Sequence, residues 1–149
     1  MSDWTPKLVE ERLIEAADVL KRLPGERIRG FFNTWPEIMV EFSDLVGREA
    51  EPMKRPPPHP AAIARMDETL TWTVGLEAID GKIVWMRVHG ASWKTICWAV
   101  GLQRSAAHEH WHYALCLIAM RLNRQPVPPN RSRRYVIDRM RDIASCPRA

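Results

Sequence analysis

Residues 91–123 read ASWKTICWAVGLQRSAAHEHWHYALCLIAMRLN, and their pattern decides the fold. Ser92 stands just before an apolar-periodic run, where a helix start needs a side-chain oxygen to accept an otherwise unpaired backbone N–H. Ile96 and Val100 are four apart and share one face of a short helix, with Trp93 one turn earlier. Cys97 lies four before Gly101. That is the spacing of a small side chain at a helix crossing followed by a glycine free to take positive φ in the turn. Leu102 returns to the core, and Arg104 opens a second helix with Ala107, Trp111, Ala114, Leu115, Ile118 and Leu122 inward. The first turns of that helix carry Gln103, Arg104, Ser105, His108, Glu109 and His112 outward. A second helix with a polar leading end and an apolar trailing half has the form of a helix-turn-helix that reads a major groove.

Outward from this stretch, the sequence is helical on both sides. Thr5-Pro6 starts a helix, with Val9, Leu13, Ala16, Ala17 and Leu20 inward and Pro24-Gly25 as its stop. Trp35-Pro36 starts a second helix running to about Val46, which Gly47 ends. The segment 48–60 (REAEPMKRPPPHP) reads as a stiff extended spacer, with proline-ligand recognition as the lesser alternative. A third helix is expected from Ala61 to Val74, with Ile63, Met66, Leu70 and Val74 inward. A fourth runs from Asp80, as N-cap, to His89, with Ile83, Val84, Val88 and part of Trp85 buried. The 104–123 helix keeps a second apolar line of Tyr113, Leu117 and Met120, so it must be covered twice, by the N-terminal helices or by a second subunit. After Asn123 the prolines break the pattern, and one short helix with Tyr135, Val136, Met140 and Ile143 on one side is expected.

The pattern G-x-S-W-x-x-I-C-x-x-x-G-L-x-R-S-x-A-H-x-x-W-x-x-A-L over residues 90–115 resembles region 4 of bacterial sigma factors and the related helix-turn-helix of phage and prophage proteins. More widely, RPPPHPAAIARMDE at 55–68 and the terminal RLN at 121–123 make the chain similar to an uncharacterised family found in phages, prophages and gene-transfer-like regions of alphaproteobacteria. That similarity spans most of Trp4 to Asn123. The resemblance implies a DNA-binding fold in a phage or prophage setting. The chain departs from the resembled pattern at Glu109 and His110, where relatives tend to be basic.

Composition bounds the remaining classes. With 149 residues, 46% hydrophobic and only 7 glycines, the chain has enough apolar surface for one ordered core. Seven tryptophans point to a small helical core anchored on large side chains. An odd set of three cysteines gives no disulfide framework. No apolar run approaches a membrane span and the N-terminus is too charged for a secretory signal, so a cytoplasmic protein without a membrane partner is expected. The net charge of +4 is uneven: residues 124–149 hold seven basic against two acidic groups, whereas residues 60–123 hold six against five.

These features assign double-stranded DNA as the partner. Gln103, Arg104, Ser105 and His108 are placed at base edges or nearby phosphates, and Glu109 is able to accept from a cytosine amino group. His112 continues the same outer stripe. Lys94, Arg131, Arg133 and Arg134 are placed at phosphates. His108, His112 and Cys116 at i, i+4 and i+8 have the spacing of a shared zinc site but lack further ligands at matching spacing, so no metal or other cofactor is assigned. No phosphate-cradling glycine loop, nucleophile elbow or carboxylate pair marks an enzyme. Trp98 projects from the short helix toward solvent or a neighbour and leaves self-association open. The expected architecture is all-α: an N-terminal helical pair within 1–47, the 48–60 linker, a sigma-region-4-like helix-turn-helix domain over 61–123, and a basic tail over 124–149. Transcriptional regulation is the first expectation. A small-terminase-like packaging component acting as a ring homo-oligomer, and a sigma-like adaptor that binds RNA polymerase without DNA, are the alternatives.

Overall fold

Residues 4–23, 55–127 and 129–145 are described by a computed structural model. Within them the fold is all-α, six helices with no strand: α1 Pro6–Arg22, α2 Pro60–Trp72, α3 Ala78–Val88, α4 Trp93–Val100, α5 Arg104–Leu122 and α6 Arg133–Ser145. The helix expected from Trp35-Pro36 lies outside the described residues, as do 48–54 of the proline-rich segment.

The helix starts follow local chemistry. The Thr5 side chain accepts from the Leu8 N–H with Pro6 at the first helical position of α1, and Ser92 accepts from the Thr95 N–H to cap α4. At α2 the His59 ring takes the capping role, accepting from the Ala61 N–H ahead of Pro60. The proline-rich segment is no free spacer at its described end: Pro58 is buried and Arg55 pairs with Asp18 of α1 at 2.8 Å.

α5 is the central helix. Its residues Ala114 to Met120 are buried without interruption, so its trailing half is covered on every side. α1, α3, α4 and α6 all pack on it. The core joins Val9, Leu13 and Ala17 of α1 to Ile83, Val84 and Val88 of α3, Ile96 of α4, and Val136 and Met140 of α6. The second apolar line of α5 is covered from within the chain: Leu117 and Met120 are buried and Tyr113 is half-buried. α1 is no separate N-terminal unit, since it shares this core and also packs along α2 through Ala16, Val19 and Met66. A two-point amide clamp fixes its start: Asn123 Oδ1 accepts from the Trp4 N–H, and Asn123 Nδ2 donates to the Trp4 carbonyl, each at 2.8 Å.

Three expectations are corrected. α2 ends at Trp72, and Val74 is 76% exposed instead of inward, because Gly75 at φ +86° turns the chain away. In the tail helix, Val136 and Met140 are buried, but Tyr135 is exposed beneath the Arg131 guanidinium. Asp80 is no N-cap: Glu77 precedes the first turn of α3, and Asp80 lies inside the helix, fully buried. There the His110 Nδ1–H donates to Asp80 Oδ1 at 2.5 Å, which ties α3 to α5. The second carboxylate oxygen has no hydrogen-bond partner among the described residues.

Breaking one side of a buried pair leaves the other stranded. His110→Leu is therefore expected to destabilise the protein by about 3–5 kcal/mol. Replacing both, as Asp80→Val with His110→Leu, is expected to recover much of that loss, because an apolar pair leaves nothing unsatisfied. Urea unfolding of the three proteins checks this, and a double variant no more stable than the single one would refute it.

Candidate nucleic-acid interface

The turn between α4 and α5 is set by Gly101, at φ 70°. Its N–H and that of Leu102 both donate to the Cys97 carbonyl, at 2.9 and 3.3 Å, which closes α4 and sends the chain directly into α5. Lys82 of α3 donates to the Ala99 carbonyl at 2.9 Å, so one of the cations nearest the turn is spent on capping α4. Cys97, expected at a buried crossing, is half-buried and lines a groove between the two helices.

Lys94, Gln103, Arg104 and Ser105 come together at this end. All four are exposed, and none makes a side-chain hydrogen bond or ion pair among the described residues. Gln103 holds the N-cap position of α5 but does not cap it with its side chain, so the first backbone N–H groups of α5 stay open beside Arg104.

The rest of the outer stripe is engaged. His108 is half-buried, its ring stacked on Trp93 at 3.8 Å between centroids and 26° between planes. Arg87 of α3 lies over the other ring system of this stack, 5.0 Å from the Trp93 centroid. His112 is exposed, 6.4 Å from His108, and borders a shallow pocket with Pro6, Cys116 and Arg141. The Cys116 thiol is pushed up to about 11 by burial, so it stays a thiol at neutral pH. Among the described residues no three histidine, cysteine or carboxylate side chains converge as a metal-holding group.

The two residues that depart from a basic pattern are both accounted for. His110 turns inward to Asp80, off the outer face. Glu109 is half-buried and accepts from Arg134 of the tail at 3.4 Å. Two of the tail arginines therefore reach α5: Arg134 at Glu109, and Arg133, which meets Glu77 at 3.9 Å and lies 6.0 Å from the Tyr113 ring. Arg131 stays with the tail helix, 5.3 Å from the Tyr135 ring. All three remain at least partly accessible. Arg87 and Arg141 were not singled out by the sequence, because their proximity to the stripe is tertiary and leaves no spacing to read.

Residues 21–118 match a family described as a domain of unknown function (DUF6362). No curated protein and no solved structure matches the chain.

His108 is held below its usual 6.5, first by burial against Trp93 and then by the charges of Arg104, His112 and Arg87. A histidine that resists protonation when folded takes up protons more readily unfolded, so stability rises with pH through this window. The contribution is complete above 6.5 and is lost as pH falls from there through the depressed folded value. His108→Gln, which does not titrate, is expected to flatten this part of the curve of urea midpoint against pH. An unchanged curve would show that His108 titrates as freely folded as unfolded.

Proposed function

The chain belongs to the DUF6362 family, and we propose that it is a helix-turn-helix protein that binds double-stranded DNA through the leading end of α5. The observation that carries this reading is the solvent-facing set Lys94, Gln103, Arg104 and Ser105 around an uncapped helix start. Arg104 and Gln103 have the donors and acceptors to read guanine and adenine edges in a major groove. Lys94 sits where a phosphate contact would fix the register, and the open N–H groups of α5 favour an anion at the same place. Arg134 offsets the repulsion of Glu109 toward phosphate, and Arg133 beside Tyr113 adds a further positive charge along α5, with Arg131 just ahead of α6. The resemblance to sigma factor region 4 supports a regulatory role in a phage or prophage setting. An open α5 end is also what a packaging protein would need, and subunit count separates that role from a regulator.

His108 enters as a packing residue whose exposed edge borders the reading end. His112 lies further along α5, beside α1 and α6, and reaches only the flank of a duplex. The first α5 turn therefore carries the discrimination. Arg104→Ala is expected to cost about 1–3 kcal/mol at a cognate site and to relax preference at one base pair. Lys94→Ala is expected to weaken all duplexes alike and to reduce the slope of log K against log salt by about 1. Selection from a random duplex pool followed by titration at two salt concentrations measures both. Wild-type protein that enriches no sequence and shows no salt-dependent retention would defeat the reading.

A further inference from the structure

Trp98 is the uncovered tryptophan. Of the described tryptophans, Trp111 is buried and Trp4, Trp72, Trp85 and Trp93 are partly covered, whereas Trp98 is 89% exposed. It projects from α4 one turn after Lys94, on the same helical face. Together with Trp93, Lys94, Cys97, Gln103 and Arg104 it lines the groove of about 750 Å³ between α4 and the start of α5. No carboxylate lines that groove, and its two cations have no ion-pair partner among the described residues. A large flat apolar side chain left in water beside free positive charge is costly unless a ligand supplies both a stacking face and a negative charge.

A nucleotide with an unpaired base supplies both. In an intact duplex each base face is already covered by its neighbours, and the groove edges that Gln103 and Arg104 would read offer nothing to stack on. An unpaired base at a duplex end or opening has a free face, and its phosphate lies within one nucleotide of it. Building on the duplex reading above, we propose that the α4–α5 groove holds an unpaired nucleotide next to the duplex. Its base stacks on Trp98, and the phosphate that joins it to the duplex lies at Lys94, leaving Arg104 to the base edge. The preferred partner is then duplex DNA bearing a single-stranded extension, not a blunt duplex.

Three probes test this with the full chain: a blunt duplex, the same duplex with a short thymidine extension, and the extension alone. Wild-type protein is expected to bind the extended duplex about tenfold more tightly than the blunt one, the gain of one stacked base. Trp98→Ala is expected to lose that gain while keeping blunt-duplex affinity, and Trp98→Phe to keep most of it. Since Trp98 is exposed, its truncation leaves the core intact, and an unchanged urea midpoint verifies this. Equal affinity for blunt and extended duplexes in the wild type, or an undiminished gain in Trp98→Ala, overturns the proposal while leaving duplex binding standing. A wild-type dimer that Trp98→Ala converts to monomer, with no extension gain, assigns the indole to a second copy of the chain and also overturns it. Absence of binding to all three probes removes the duplex reading as well.

Discussion

The unbroken burial of Ala114 to Met120 in α5 is the constraint on which the molecule depends. Residues 114–120 hold no charged side chain, and every one is covered. A helix apolar all round is stable in water only inside a ring of others, and α1, α3, α4 and α6 provide that ring. Covering one end so fully fixes the direction of the other. The first turn of α5, at Arg104 and Ser105, stays exposed, while the turns behind it are held by Asp80 of α3 at His110, Trp93 of α4 at His108 and Arg134 of α6 at Glu109. The polar end is exposed because the apolar end could not be.

The Asp80–His110 contact then sets how α3 meets α5. An apolar contact tolerates sliding, whereas a buried carboxylate with one donor partner has a single satisfied register. That register carries Arg87, seven residues further along α3, to the Trp93–His108 stack behind the leading turns of α5. The stack of guanidinium, indole and imidazole braces the α4–α5 corner, with Trp93 in the wall of the groove that the open residues also line. Rigidity at that corner matters for any groove reader, since base-edge contacts depend on the angle at which the helix enters.

Much of this was legible in the sequence where the signal is local. Ser92, Gly101 and the 3–4 spacing of Ile96, Val100, Ala107, Trp111, Ala114 and Ile118 describe α4, the turn and α5 as they occur, and Thr5-Pro6 marks the start of α1. The tail helix was recognisable from Val136 and Met140. What escaped was tertiary. Asp80 stands near a helix start, and a carboxylate there ordinarily caps, so its burial against a residue thirty positions away left no trace in spacing. Val74 continued an apolar period that a positive-φ glycine cut short. In the candidate site, exposure of Lys94, Gln103, Arg104 and Ser105 follows from the helical wheel. The withdrawal of His108 onto the Trp93 ring, and of Glu109 into a pair with Arg134, depends on how α4 and α6 pack against α5.

Charge sets the scale of what the open end can do. A protein that neutralises Z phosphates gains affinity that falls with salt at a slope of about −0.9Z, and non-specific binders making 6–10 such contacts owe most of their affinity to it. Among the described residues Lys94 and Arg104 stand free, Lys82 is taken up by the Ala99 carbonyl of α4, and Arg133 and Arg134 must first give up Glu77 and Glu109. The exposed pairs are weak and exchange readily, typically worth under about 1 kcal/mol. Trading them for phosphate is nearly neutral for the protein, yet each exchange also frees a carboxylate to repel the backbone. On the proposed reading, a single chain of this kind would have shallow salt dependence and modest affinity for DNA at large. Discrimination would then rest on the few direct contacts proposed for the α5 end and on whatever else the α4–α5 groove admits, because the electrostatic background against which those contacts compete is low.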